Sequence, residues 1–208
     1  MIDSFRKVLF IGAHPDDEFA CAGTIAKLTL SGAEVDAMVF ADCADQLPEG
    51  FDVLHLMVEW SDAMALLGVK DPLMNGMRNQ HFPEFRQVIL EQLYKRRNDG
   101  YDLVLLPATS DIHQDHSVIR EEGIRAFKHT TILGYEQPQN TVRSTNLAAY
   151  VSLSPFLVDL KVKHAATYRS QAHRTYMRED FIRGLAAVRG VQANVDAAEA
   201  FEVIRWMM

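Results

Sequence analysis

An apolar run that ends in a cluster of histidine and carboxylates is the feature that most restricts the fold of this chain. Residues 8–11 are all apolar, two small residues follow, and His14-Pro15-Asp16-Asp17-Glu18 comes next, before a helical pattern. A strand that delivers polar groups at its carboxyl end is typical of open parallel α/β sheets, whose active sites lie there. The alternative is an ordinary Asp-rich helix start, because Asp is common near helix N-termini.

A second segment repeats this arrangement. Residues 101–107 form another strand-like run, and Asp111-Ile112-His113-Gln114-Asp115-His116 lies just beyond it. A hydrolytic zinc site usually takes three protein ligands and keeps one position for water. The first segment offers one imidazole and one carboxylate, so one histidine of the second would complete the set. The alternative is a polar loop with incidental histidines.

Strand-like and helix-like stretches alternate along the chain. Helices are predicted over residues 19–30, 54–67, 84–97, 118–128, 155–169 and 179–189. Strands are predicted over 8–11, 35–40, 103–106, 131–135, 148–153 and 200–206, with loops over 42–50, 71–82 and 137–146. The alternation predicts one Rossmann-like α/β domain over residues 1–208, with a mainly parallel sheet covered by helices on both faces.

The same patterns place individual side chains. The helix over 54–67 is expected to turn these apolar residues to the core: Leu54, Met57, Val58, Ala63, Leu66 and Leu67. Cys21 is expected inside a helix, Cys43 in a loop near the site, and His129 and His164 on helix surfaces.

Composition restricts the class of protein. With 208 residues, 48% hydrophobic and 24% charged, the chain has the composition of a soluble globular domain. A net charge of −7 and the absence of any run of five basic residues argue against nucleic-acid binding. Two cysteines suit a reducing compartment, and neither a membrane span nor a signal peptide is indicated. We therefore expect a cytoplasmic protein, and the sequence leaves its oligomeric state open, a homo-oligomer included.

The motif AHPDDE at residues 13–18, paired with HQDH at residues 113–116, resembles the PIG-L/LmbE-like N-acetylglucosaminyl deacetylase superfamily. Members of this family are zinc-dependent enzymes that remove acetyl groups from N-acetyl-amino sugars. The resemblance runs over nearly the whole chain and includes the closing segment from residue 189 to residue 202. Pairing the two motifs at this separation is far more specific than either motif alone.

The resemblance implies a role for each motif residue. It implies that the metal ligands are His14, Asp17 and His116. It implies that Asp16 is the general base, and that His113 faces the developing oxyanion with Asp115 orienting it. Zinc is expected, and ferrous iron is an alternative because nitrogen and oxygen ligands discriminate weakly between the two.

The expected chemistry is hydrolysis of an amide. Zinc lowers the pKa of bound water from about 15.7 towards about 7, and a carboxylate next to a ligand can accept the proton. An Asp115 carboxylate paired with His113 would raise the pKa of this histidine and favour the imidazolium. The sequence leaves open whether Asp16 or His113 returns a proton to the leaving amine.

This chain departs from the family pattern at two places. Gln114 stands where the second motif commonly has proline. Many relatives carry an arginine three or four residues before a helix glutamate that matches Glu59, but here those positions are Leu56 and His55. Because that arginine often helps to hold the sugar, the departure concerns substrate recognition.

The substrate is expected to be an amino sugar, with an anionic conjugate such as a sugar phosphate as a specific hypothesis. The candidate substrate-binding residues are Arg78, Tyr135 and Arg143, which lie in or before the predicted loops. The alternative for both arginines is an ordinary solvated position on the surface. Weaker candidates are Glu136 and His173 as cleft residues and Asp42 behind a metal ligand, with a turn as its alternative. Two other functions stay open: hydrolysis of another small amide, and metal binding without catalysis.

Overall fold

The computed structural model describes residues 2–207, which contain seven strands and six α-helices that alternate as far as β5. In chain order they are β1 (Lys7–Gly12), α1 (Ala22–Leu30), β2 (Glu34–Ala41), α2 (Val53–Leu66), β3 (Leu73–Met77), α3 (Phe82–Arg96), β4 (Leu103–Pro107), α4 (Gln114–Ala126), β5 (Thr131–Tyr135), β6 (Leu147–Ser152), α5 (Pro155–Thr167), α6 (Glu179–Ala193) and β7 (Ala198–Arg205). None of the helices in this range combines the length and hydropathy that crossing a bilayer requires.

The strands form one seven-stranded sheet in the order β3-β2-β1-β4-β5-β7-β6. The first five strands of this order run parallel. β7 pairs antiparallel with β5 on one side and with β6 on the other, so β7 alone runs against the rest of the sheet. β1 and β4 are direct neighbours, with Val8 opposite Leu103. The two motifs follow these two strands, so they emerge side by side at the same edge of the sheet.

Helices cover both faces of the sheet, as predicted. Successive side chains of a strand point to opposite faces, and β1 shows this directly. Phe10 packs in one core with Ile25 of α1, and this core also contains residues of α2, α5 and α6. Ile11 packs in the core on the other face, with Leu93 of α3 and Ile119 of α4. The central strands are buried on both sides, which explains their continuous apolar runs.

Several bounds differ from the sequence-based expectation: α4, for example, begins at Gln114 rather than at residue 118, and α6 ends at Ala193 rather than at residue 189. The predicted loop over 71–82 contains β3, a short edge strand whose pairing with β2 is irregular between Val39 and Ala41. Its Asn75 and Gly76, the latter at φ 68°, conceal the strand pattern. The helix predicted from residue 19 begins instead as a 3-10 turn over Asp17–Cys21, and α1 starts at Ala22.

The buried face of α2 also differs from the prediction. Leu54, Met57 and Val58 are 70%, 47% and 59% exposed, while Leu56 and Trp60 are buried. The helix itself is correctly predicted, but its apolar residues surround most of its circumference, so periodicity alone does not select the core face.

His164 lies in the core of the protein and not on a helix surface as expected. Its Nε2 donates a hydrogen bond to Glu18 Oε1 at 2.9 Å, and the Tyr168 hydroxyl donates to the same oxygen. All three side chains are buried. A polar ring is tolerated there because it meets a carboxylate that is equally removed from water. Cys21 is buried, as predicted. His129 is exposed, but it lies in the turn after α4 and not on a helix.

Candidate active site

The three expected metal ligands converge between the ends of β1 and β4. His14 Nδ1 lies 3.1 Å from His116 Nε2, His116 Nε2 lies 3.2 Å from Asp17 Oδ1, and His14 Nδ1 lies 3.6 Å from Asp17 Oδ2. Around a tetrahedral zinc ion with bonds of about 2.1 Å, neighbouring ligand atoms are about 3.4 Å apart. Two imidazole nitrogens and a carboxylate at these separations fit a single divalent ion such as zinc or ferrous iron.

The outer nitrogen of each proposed ligand histidine is held by a carboxylate or an amide. His116 Nδ1 donates to Asp111 Oδ2 at 2.6 Å. His14 Nε2 lies 2.8 Å from Asn79 Oδ1 and 3.2 Å from Asp115 Oδ2. Such contacts fix the tautomer and the ring orientation that metal binding needs. Nδ1 of His14 and Nε2 of His116 are thereby left facing each other.

The electrostatics of this cluster favour added positive charge. Burial lowers the pKa of His14, but the Asp17 and Asp115 carboxylates outweigh it and raise that pKa to about 9. For His116, Asp17 and Asp111 outweigh burial in the same way and raise the pKa to about 10. Buried carboxylates therefore stabilise cationic charge between the two rings, where a divalent ion would replace bound protons.

Asp17 is fixed in place by the turn that contains it. Its Oδ2 accepts hydrogen bonds from the Ala13 and His14 backbone N–H groups at 2.8 and 2.9 Å, and its Oδ1 accepts one from Gln137 Nε2 at 2.9 Å. A Cβ at Gly12 would lie 3.1 Å from Asp17 Cβ, so glycine allows the chain to fold back this closely. The pKa of Asp17 lies well below its usual range, because His116 and His14 outweigh the effect of burial.

Asp16 lies beside the cluster in a strained backbone conformation. Its φ of 99° is in the left-handed region that non-glycine residues rarely adopt. Its N–H donates to Glu18 Oε2 at 3.2 Å, and its Oδ2 accepts a hydrogen bond from the Tyr176 hydroxyl at 3.1 Å. Burial, assisted by the Asp17 and Glu18 charges, raises the pKa of Asp16 to about 8. A carboxyl group with a raised pKa in a cleft is suited to general acid–base chemistry.

His113 faces the same cleft, but its surroundings differ from the expected ones. Its Nδ1 accepts a hydrogen bond from the backbone N–H of Asp115 at 3.2 Å, while the Asp115 carboxylate lies against His14. Burial and the neighbouring His116 and His14 lower the pKa of His113 to about 4. The backbone N–H of Asp115, and not its carboxylate, therefore orients His113. The ring is neutral with its proton on Nε2, instead of the expected imidazolium.

The three histidines also form a group by themselves. One nitrogen each of His14, His113 and His116 lies within 4.8 Å of the others. Asp17 lies nearer to the two imidazoles, 3.2 Å from His116 and 3.6 Å from His14, but through different carboxylate oxygens. Two sets could therefore hold an ion: the three histidines, or His14 and His116 with Asp17.

An open cavity of about 630 Å³ leads to this cluster, within the size range of small-molecule sites. Side-chain amides contribute much of its wall, among them Gln46, Gln80, Gln139, Asn140 and Gln171. Among residues 2–207, Arg174 is the one Lys or Arg that lines it. His173 lines it as predicted, and so does Cys43.

The three expected substrate-binding residues lie outside this cavity lining. Tyr135 is fully buried, donates its hydroxyl proton to the Ile11 carbonyl at 3.1 Å and stacks on Phe10, so it cannot contact a substrate. Arg78 pairs with Asp45 on the surface, and Arg143 is exposed.

Two weaker candidates have structural roles. Glu136 is buried in an ion pair with Arg189 at 2.7 Å, away from the cavity. Asp42 Oδ1 accepts a hydrogen bond from Ala44 N at 3.1 Å, which is the turn-forming role of the alternative interpretation.

The missing arginine is replaced by an apolar contact. Leu56 lines the cavity at that position. Glu59, three residues later, accepts hydrogen bonds from Ser170 N at 3.1 Å and Ser170 Oγ at 2.6 Å. Glu59 thereby anchors the beginning of the segment that carries Arg174 and Tyr176 to the cavity.

Sequence reasoning did not assign roles to four residues of the site. Asp111 could have been found as a carboxylate five residues before a ligand histidine. Gln137 could have been found because it follows β5 at the same sheet edge. Asn79 follows a strand that the sequence did not predict, and Tyr176 lies in a short 3-10 turn that offers no sequence signal.

Solved structures share this fold at low sequence identity. The N,N'-diacetylchitobiose deacetylase from Pyrococcus horikoshii superposes with a TM-score of 0.82 at 23% identity, over 98% of this chain and 85% of that chain. The 4-carboxy-2-hydroxymuconate hydratase GalB from Pseudomonas putida KT2440 gives 0.77 at 15% identity, over 98% of both chains. The zinc-inhibited form of teicoplanin deacetylase Orf2 gives 0.74 at 17% identity, over 96% and 98%.

The sequence itself matches a family model. The model of the PIG-L family, described as GlcNAc-PI de-N-acetylase, matches residues 9–127, which is more than half of the chain and includes both motifs. On this match the chain belongs to the PIG-L family.

Proposed function

We propose that this protein is a zinc- or iron-dependent hydrolase that removes the N-acetyl group from an amino sugar or an amino-sugar conjugate. One observation carries the proposal: the ligand atoms of His14, Asp17 and His116 converge within 3.6 Å, with Asp16 and His113 on the same cavity. The fold alone does not decide the reaction, because a similar fold serves a hydratase. Membership of the PIG-L family supports de-N-acetylation.

His14, Asp17 and His116 would hold the ion. A bound zinc or ferrous ion would polarise the acetamide carbonyl and lower the pKa of a water molecule. Asp111 and the pair Asn79–Asp115 keep the two imidazoles in the required tautomers.

Asp16 is the proton carrier of the proposed reaction. Because the Tyr176 hydroxyl occupies its Oδ2, Oδ1 is the oxygen that accepts the proton of the attacking water. When the C–N bond breaks, Asp16 passes this proton to the amine nitrogen. Burial raises the pKa of Asp16 in the metal-free site. A bound cation would lower this pKa, so the carboxylate that accepts the proton would be present near neutral pH.

His113 stabilises the negative charge that develops on the carbonyl oxygen. Its Nδ1 accepts a backbone hydrogen bond, so its neutral ring presents Nε2–H to the cavity. Loss of one such donor typically costs about 3–4 kcal/mol of transition-state stabilisation. With a pKa lowered to about 4 the ring has no second proton to give, which is why we assign protonation of the amine to Asp16.

The cavity wall fits a sugar. Each side-chain amide offers both donors and an acceptor, and hydroxyl groups need both. Arg174 is the group that an anionic conjugate would contact, in place of the expected Arg78 and Arg143. The Asp16 and Asp17 carboxylates would be balanced by a divalent ion, which leaves the guanidinium charge available to the substrate.

The proposal is tested by incubating metal-loaded protein with N-acetylated sugars, nucleotide sugars, lipid-linked sugars and N-acetylated amines that lack a sugar, and measuring free acetate and free amine. We expect release from at least one sugar, which Asp16→Asn abolishes. Asp42→Asn makes the same chemical change in a nearby turn and should keep the activity. Release only from N-acetyl compounds without a sugar would favour the hydrolase of another amide. Tight metal binding without any release would favour a metal-binding protein that lacks catalysis.

A further inference from the structure

A two-residue turn after β3 reaches the ring of His14. Asn79 Oδ1 lies 2.8 Å from His14 Nε2, and Asn79 is buried. The next residue, Gln80, has a φ of 66°, in the left-handed region that a non-glycine residue adopts at a cost. This strained turn therefore sets the position of Asn79, and with it the hydrogen bond that Asn79 makes to Nε2 of the proposed ligand His14.

The backbone of Gln80 is held at both of its polar groups. Its N–H donates to Asp115 Oδ2 at 2.7 Å, and its carbonyl accepts a hydrogen bond from Gln114 Nε2 at 2.6 Å. Gln114 and Asp115 are the first two residues of α4, the helix that also carries His116. The first turn of α4 thus fixes the loop that orients His14.

Asn79 and Phe82 are buried, but Gln80 and Gln114 are exposed, so the core does not cover the turn at Gln80 itself. At this exposed turn, the hydrogen bond from Gln114 adds a restraint on the Gln80 carbonyl. A proline at position 114 has no side-chain donor and cannot make this bond.

We propose that Gln114 is a positioning residue for the metal centre. Its bond to the Gln80 carbonyl holds the Asn79–Gln80 turn so that Asn79 and Asp115 keep His14 Nε2 engaged and His14 Nδ1 directed at His116. The inference rests on the proposed role of His14 as a metal ligand. Removing the Gln114 donor weakens metal binding without touching any ligand.

Cobalt(II) binding tests this directly, since the absorbance of the bound ion reports occupancy without any catalytic assay. Gln114→Met keeps the length of the side chain and removes the donor. Gln114→Pro should preserve α4, because proline suits the first helical position and His113 already has an extended ψ of 128°. We expect the Kd of both variants for cobalt(II) to rise about tenfold. This is the lower end of the roughly 10–100-fold loss that is typical when a residue supporting a metal ligand is changed.

Two comparisons isolate the effect. Gln87→Met makes the same chemical change at an exposed position of α3, outside the cavity lining, and should leave the Kd within about twofold of wild type. In an Asn79→Ala background, Gln114→Met should add little, because its main route to His14 is already removed. Wild-type affinity in both Gln114 variants, or full additivity with Asn79→Ala, overturns the inference and leaves the proposed function standing.

A second readout needs no metal. Histidine ring NMR of the metal-free protein follows the Nε2 proton of His14, and Gln114→Met should speed its exchange with water severalfold. Unchanged exchange would overturn the inference. If wild type binds no cobalt, the proposed function fails, and this measurement alone still decides whether Gln114 orients His14.

Discussion

Asp111 Oδ2 accepts a hydrogen bond from His116 Nδ1 at 2.6 Å, and both side chains are almost completely buried. Asp111 is itself held, because its backbone pairs with Thr141 and its Oδ1 accepts from His113 N at 2.8 Å. Asp111 therefore joins the loop after β4 to the loop after β5, through its backbone and through Asn140 Nδ2, which donates to its Oδ2 at 3.4 Å. Its carboxylate also fixes the face that His116 presents to Asp17.

The first prediction follows from this pair. Asp111→Ala removes the acceptor that holds His116 in its ligand tautomer, so metal affinity should fall about 10–100-fold. Asp111→Asn keeps an acceptor but loses the charge, and its loss should be smaller. Cobalt(II) or zinc titration measures both. Asp42→Ala, an equivalent truncation outside the histidine cluster, is the control, and equal affinity in Asp111→Ala would exclude this role.

The second prediction separates binding from chemistry. Asp16→Asn and His113→Ala should both retain metal, because neither residue belongs to the proposed ligand set. Asp16→Asn should lower kcat about 10²–10⁴-fold, since an amide cannot accept the proton. His113→Ala should lower kcat about 10²–10³-fold through the lost donor. Metal analysis combined with steady-state kinetics checks this, and near-native rates in either variant would remove that residue from the mechanism.

The sheet and the site position were predictable because they depend on local patterns. The runs before His14 and His113 are strands buried on both faces, and such strands read as continuous apolar sequence. Parallel neighbours bring their carboxyl ends together, so the two motifs had to meet once β1 and β4 paired.

The remaining features depend on partners far away in the sequence. His164 looks like a surface residue until Glu18, 146 positions earlier, is seen to receive its hydrogen bond. The family resemblance implies that Asp115 orients His113, but the fold turns the Asp115 carboxylate to His14. Arg174 reaches the cavity because Glu59 anchors Ser170. The periodicity of a single sequence does not indicate which side chains distant in the chain will contact each other.

The third prediction concerns the helix that follows the first motif. Glu199 of β7 accepts hydrogen bonds from Gly23 N and Thr24 N at the start of α1 and pairs with Lys161 Nζ at 2.6 Å. Both side chains of the pair are buried. Glu199→Ala leaves a buried ammonium unpaired and α1 uncapped, so unfolding free energy should fall by about 3–5 kcal/mol.

Denaturant unfolding measures this loss, and two variants serve as references. Lys161→Met in the Glu199→Ala background should recover part of the stability, because the unpaired charge is removed. Glu34→Ala breaks the exposed Lys7–Glu34 pair and should cost no more than about 1 kcal/mol. A loss at Glu199 as small as that at Glu34 would show that the buried pair does not stabilise the fold.

The last prediction concerns the charge of the substrate. Arg174 lines the cavity, whereas Arg78 and Arg143 do not. If a phosphate of the substrate contacts the guanidinium, Arg174→Ala should lower kcat/KM for N-acetylglucosamine 1-phosphate about tenfold, or about 1.4 kcal/mol. The value for N-acetylglucosamine should change less than about twofold, because a neutral sugar has no anionic group to lose. Arg174 is exposed, so added salt should reduce the difference between the two substrates.

Arg78→Ala and Arg143→Ala are the matched controls, since each removes one exposed guanidinium from the same chain. Both should leave the ratio of the two kcat/KM values unchanged. Arg174→Lys keeps the charge and loses the planar donor pair, so it should retain an intermediate preference for the phosphate. Equal losses of kcat/KM for both sugars in Arg174→Ala would mean that Arg174 shapes the cavity but does not bind the phosphate. A loss confined to Arg143→Ala would mean that the phosphate binds Arg143, in the loop after β5.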